Sequence, residues 1–129
     1  MEKNFSTENI VDIDPNELMY SAVISKNTDT VKYLIDKGGD IKDTLHWANE
    51  TSPNMVMFLI ENGAKLDVKE EHFYGHTPLQ RAVMNNNIEL AEILLKAGAN
   101  VNLPNFSDET PLILASCNKD LHMAKLLIC

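Results

Sequence analysis

Arginine is almost missing from this chain of 129 residues: ten of its eleven basic side chains are lysine, and Arg81 is the exception. Nineteen acidic residues outnumber them and set the formal net charge at -8. With no basic face to neutralise a run of phosphates, nucleic-acid binding has no support. Long apolar runs are missing as well. The longest, residues 55–60, holds six residues, against the roughly 18 to 20 that a membrane-spanning helix needs. The opening stretch carries one lysine and no apolar segment of signal-peptide length, so secretion by that route has no support either. Cysteine is scarce: Cys117 and Cys129 stand close together near the end, too few and too local for a disulfide framework. A reducing, cytoplasmic compartment is therefore expected. Glycine and proline number five each beside 44% hydrophobic residues, which excludes collagen-like and disordered chains and leaves one ordinary globular domain.

What is present is a repeat. Thr77-Pro78-Leu79 returns as Thr110-Pro111-Leu112, 33 residues on. A small residue follows each triplet at the same distance, Ala82 and Ala115, and a leucine follows later, Leu94 and Leu127. Thr77 suits a helix cap and Pro78 the first helical position, where its missing N–H costs nothing. Asn85-Asn86-Asn87 breaks that helix, and Ile88, Ala91, Leu94 and Leu95 put an apolar stripe on the next at helical spacing. Gly98 ends it with the left-handed residue that a helix terminus needs.

In these residues the chain resembles the ankyrin repeat family, whose unit is a β-turn followed by two antiparallel helices. The frame extends backwards through Leu45-His46-Trp47-Ala48 and Leu59-Ile60-Glu61-Asn62-Gly63-Ala64, and through Ala22, Leu34, Ile35 and Gly38-Gly39-Asp40. The resemblance implies an all-α ankyrin-repeat solenoid of about four stacked helix-turn-helix units with short β-turn fingers, at residues 15–42, 43–69, 70–104 and 105–129. One helix pair cannot bury its apolar face alone, so neighbours must share a core. Residues 1–14 show no repeat character and are expected to form an acidic, weakly ordered arm. In the first unit Met19, Ala22, Val23, Val31, Leu34 and Ile35 are expected to face the core.

The spacing of the glycines is uneven. Gly38 to Gly63 is 25 residues and Gly63 to Gly98 is 35. The finger between units one and two has therefore nearly vanished, and the one between units two and three, residues 68–76, is enlarged. In the fourth unit Met123, Leu126, Leu127 and Ile128 are expected to face back onto the third, with His122 and Lys125 outward. The other reading leaves an apolar edge that invites self-association.

Catalytic and metal-binding patterns find little support. His72 and His76 have helical ligand spacing but flank Gly75 in a finger, and Cys117, His122 and Cys129 fall on two helices without a C-x-x-C pair, so no metal or cofactor is expected. Gly38-Gly39 lacks the lysine of a phosphate loop, no serine sits in G-x-S-x-G, and an enzyme is not expected. His46 takes the histidine position of the family's Thr-Pro-Leu-His stretch, where the ring is expected to hydrogen-bond neighbouring finger backbone, and Trp47 is expected in the shared core.

The finger aromatics remain. Phe73, Tyr74 and Phe106 stand where stacking needs no large apolar residue. Two readings stay open: anchors for a partner, or rings folded onto each other to brace adjacent fingers. The resemblance implies a partner protein held by the finger tips and the exposed faces of the first helices. On this chain that means Phe73, Tyr74, His76, Met84, Asn85, Phe106, Ser107, Glu109, Cys117 and Asn118, with Ile24, Ser25, Glu50 and Thr51 more loosely aligned. The expected function is thus a protein-protein interaction module for a partner with a basic surface, monomeric; the alternative is an architectural subunit that self-associates through its fourth unit. Asn102 matches a position hydroxylated in ankyrin proteins of animal cells, although Asn100, two before it, is not acidic. The Asn- and Lys-rich, Arg-poor composition suits the AT-rich genome of an intracellular parasite or large virus, in which case the compartment would be the host cytosol.

Overall fold

The structure is a computed structural model and describes residues 14–71 and 74–128. Two expectations fall partly outside that range, the arm at residues 1–13 and the finger residue Phe73. Within it the order is α1 (Pro15–Ile24), α2 (Thr28–Asp36), a 3-10 helix (Thr44–Glu50), α3 (Pro53–Glu61), α4 (Pro78–Met84), α5 (Ile88–Ala97), α6 (Pro111–Cys117) and α7 (Leu121–Ile128). No strand is formed among the described residues; one isolated antiparallel bridge joins Glu70 and His76.

Short polar side chains start these helices. Asp14, at the end of the expected arm, accepts from the Asn16 N–H at 3.0 Å, and Asn27, Ser52, Asn87 and Thr110 cap α2, α3, α5 and α6 in the same way. Thr77 and Gln80 form a reciprocal capping box on α4. Proline takes the first position of α1, α3, α4 and α6. Gly98 closes α5 with φ of 105°, a left-handed value that L side chains adopt only with strain.

Each first helix packs on its own second helix and on the first helix of the next unit: α1 with α2 and the 3-10 helix, the 3-10 helix with α3 and α4, α4 with α5 and α6. Among the second helices, α3 packs on α5. The shared interior holds Met19, Val23, Val31, Leu45, Met55, Leu59, Leu79, Leu94 and Met123, all nearly or fully buried. Complete burial of one such side chain contributes roughly 1.5–3 kcal/mol, so the stack rests mainly on these contacts.

Three expectations need correction. The second unit opens with a 3-10 helix rather than an α-helix, and its N-cap Asp43 makes no side-chain capping bond. Trp47 is half-buried against the core, edge-on to the Tyr20 ring at 5.1 Å, and not inside it. Ile128 is 70% exposed, although Met123 and Leu127 face inward as expected. Met123 and Leu127 join the shared core, and Ile128 lies outside it.

Polar ties set the register between units. Gln80, fully buried, donates from Nε2 to the carbonyls of Leu103 at 3.1 Å and Glu109 at 2.7 Å, while its Oε1 accepts from the Thr77 N–H. Replacing Gln80 by Leu strips partners from three backbone groups, and chemical denaturation should show a loss of about 2–4 kcal/mol.

Candidate protein-binding surface

The described residues of the enlarged finger between units two and three are bonded to each other across its base. The Glu70 N–H donates to the His76 carbonyl and the Gly75 N–H to the Glu70 carbonyl, each at 2.9 Å. Tyr74 and Gly75 both turn with positive φ, 58° and 75°. This conformation carries the Tyr74 ring outward, 75% exposed and 6.3 Å from the His76 ring.

The next finger is organised by Asn105, which is 2% exposed. Its Oδ1 accepts from the N–H groups of Ser107 and Glu109, and its Nδ2 donates to the Glu109 carboxylate at 3.0 Å. The two fingers are joined directly, with the Phe106 N–H donating to the Tyr74 carbonyl at 2.9 Å. The Phe106 ring then lies across Gly75 so closely that a methyl group there would sit 2.5 Å from it. Its remaining surface is open, 60% of the residue being exposed, with the Lys69 ammonium 5.9 Å from the ring centre.

The expected site residues thus separate into three groups. Tyr74, Phe106 and Ser107 are exposed at the finger tips, with His76 half-buried beside them. Met84, Asn85, Cys117 and Asn118 are exposed where α4 and α6 end, roughly 10 Å from the fingers by helix rise. Glu109 differs from its expected role at the rim: it is half-buried and its carboxylate is taken up by Asn105. In the first two units, Thr51 is structural as well, its hydroxyl donating to the Val23 carbonyl at 2.6 Å. Ile24 is half-buried, and Glu50 is exposed and accepts from the Tyr20 hydroxyl. That carboxylate raises the Tyr20 pKa, chiefly by its charge. Asn102 is exposed, with its N–H on Asn100 Oδ1.

Asn105 was not singled out from the sequence, and Gly75 was read only as a mark of the finger, not as the bed of an aromatic ring. Asn105 had a legible signal, since an Asn four before a Glu in a turn is suited to closing a loop on itself. His46 also behaves differently from expectation. Its Nδ1 has no hydrogen-bond partner among the described residues, and the tie to the next unit runs instead from the Arg81 guanidinium to the His46 carbonyl at 2.7 Å. Among the described residues no group of three His, Cys, Asp or Glu side chains is placed to hold a metal ion, and no helix is long and apolar enough to cross a membrane.

Helix pairs stacked in one register, with hydrogen-bonded loops projecting from one end, define a helical repeat protein. The family model for ankyrin repeats, three copies, matches residues 18–105 and 45–129. The chain belongs to the ankyrin repeat family. It is 35% identical over 108 residues to a putative palmitoyltransferase, ZDHHC13, of Danio rerio, covering 77% of this chain and 16% of that protein. It is 34% identical over 110 residues to the putative ankyrin repeat protein FPV031 of Fowlpox virus, covering 78% of this chain and 32% of the relative. A putative ankyrin repeat protein of Rickettsia felis is 45% identical over 51 residues, 40% of this chain and 17% of its own length. The chain therefore spans a third or less of each of these relatives.

Burial lowers the pKa of both His46 and His76, outweighing the nearby carboxylates that favour the charged form. The folded chain then binds fewer protons than the unfolded one, whose histidines titrate near about 6.5. Stability should be complete above that range and decline as the pH falls through it. Thermal melts between neutral and mildly acid pH should show this decline, and His46→Gln should flatten it.

Proposed function

We propose that this chain is a protein-binding module that holds a partner across its finger tips and the exposed ends of α4 and α6. Ankyrin repeats generally mediate protein–protein interactions. The observation that supports the reading here is the pair of adjacent fingers, tied through the Phe106–Tyr74 backbone bond, that present two large exposed rings. Phe106 is braced by Gly75 and the Tyr74 backbone is fixed by a hydrogen-bonded turn, so one ring and the backbone that carries the other are held before a partner arrives, which lowers the entropy lost on binding. Met84 adds apolar surface and Ser107, Asn85 and Asn118 a polar rim. The acidic net charge favours a partner with a basic surface, by raising the encounter rate. The reading assigns the chain no catalytic step and no cofactor, and places it in the cytoplasm.

The combined variant Tyr74→Ala, Phe106→Ala, Met84→Ala should lose proteins that the unaltered chain retains on an affinity column, with circular dichroism unchanged. Identical retention by both would refute the proposed surface.

A second reading is favoured by one set of residues. Ile113 stands 33 positions after Gln80, yet Gln80 is fully buried under the next finger and Ile113 is 44% exposed. Leu112, Leu121 and Ile128 are exposed with it. This outer face of α6 and α7 could dock a second copy of the chain. Sedimentation at rising concentration should then show mass growing towards a dimer, whereas a constant monomer mass excludes the idea.

A further inference from the structure

The shortened connection between units one and two leaves Trp47 beside open clefts. Residues 37–43 make a tight turn: the Asp40 N–H donates to Asn16 Oδ1 at 2.7 Å and the Lys42 N–H to Asp40 Oδ1 at 2.8 Å. With no hairpin there, Trp47 is flanked by Tyr20 and otherwise borders open clefts. The larger cleft, about 380 Å³, lies between the 3-10 helix and the start of the enlarged finger, and is lined by Asp43, His46, Trp47, Lys69, Glu70 and Glu71 among others. Its size is near the lower end of small-ligand pockets, which run from about 300 to 1,000 Å³; one long side chain fits it better than a cofactor.

We infer that this cleft receives a single cationic side chain, a lysine or arginine carried on an extended basic segment of a partner protein. The inference rests on the reading of the chain as a protein-binding module but concerns a different patch from the finger tips. Three carboxylates, Asp43, Glu70 and Glu71, face one lysine there. Lys69 has its ammonium near the Phe106 ring, and Arg81 is engaged by the His46 carbonyl, so the cations nearby already have partners. The half-buried Trp47 supplies an indole, the aromatic that attracts cations most strongly.

The second observation is independent of charge. His46 lines the cleft at 5% exposure with its Nδ1 lacking a partner among the described residues. Buried polar atoms without a partner are uncommon and call for an explanation. Burial disfavours the imidazolium, so the ring adds no repelling charge, and in the tautomer protonated at Nε2 the Nδ1 lone pair accepts a donor. An ammonium or guanidinium brings donors to that wall while meeting the carboxylates and the indole.

Trp47 is the sole tryptophan, so its fluorescence reports on this cleft directly. The probe is a five-residue peptide alternating lysine and glycine, titrated at low salt, with its fully acetylated form as control. A saturable change in Trp47 emission is expected with the charged peptide and none with the acetylated one. Glu70→Gln with Glu71→Gln should weaken binding by about fivefold or more, the scale of two partly screened charge contacts. Glu89→Gln with Glu92→Gln, on α5, removes the same charge elsewhere and should leave it unchanged. No saturable change, or equal weakening by both pairs, overturns the inference; the latter would mean attraction to net charge alone. Tyr74→Ala with Met84→Ala should not alter peptide binding. If that variant alone abolishes it, the cleft is refuted while the finger-tip reading stands.

Discussion

A pair of short helices has apolar surface on more sides than the pair itself can cover, and this shortage governs the whole molecule. Leu59 and Leu94 are fully buried because α3 and α5 lie against each other across a unit boundary. Leu79 and Leu45 are sealed in the same way by the line of first helices. Each unit is therefore incomplete until its neighbour arrives, as the nearest-neighbour energetics of repeat proteins require. Once the helices are clamped, the connecting loops project from one end with their backbone groups still to be satisfied. Gln80 and Asn105 meet that need from within, and this leaves the side chains of Tyr74 and Ser107 and the outer part of the Phe106 ring exposed.

Differences in connection length then turn a uniform stack into an asymmetric surface. Where the chain is long, between units two and three, a hairpin forms and carries Tyr74 outward. Where it is short, between units one and two, no hairpin forms and Trp47 is left at the edge of an acidic cleft. Both features follow from the same stacking, since the helices hold their register whatever the loops do. The 3-10 geometry of Thr44–Glu50 belongs to this account, because the helix begins straight after a tight turn with no side-chain cap to start a wider α turn.

The repeat, the Thr77 cap, the glycine terminators and most of the core were legible in the sequence, because each depends on residue type at a fixed spacing. Met19, Val23, Val31 and Leu34 are buried as their periodicity implies. Ile128 was misjudged because helical periodicity marks a side that is apolar, not whether a neighbour covers it. Glu109 was misjudged because its partner depends on how the finger turns at Asp108, which has a positive φ of 62° that composition does not announce. The bed that Gly75 makes for Phe106 was hidden for a like reason: the two are far apart in sequence and meet only when adjacent fingers are bonded. For His46 the family pattern pointed to the ring, whereas here the carbonyl makes the contact with the next unit.

Unfolding in urea, followed at once by Trp47 fluorescence and by helical circular dichroism, tests the shared interior most directly. Trp47 sits in the second unit while the helical signal comes from all four, so one common core requires the two curves to coincide at a single midpoint. Two separated transitions would show units that fold independently, and would contradict the account.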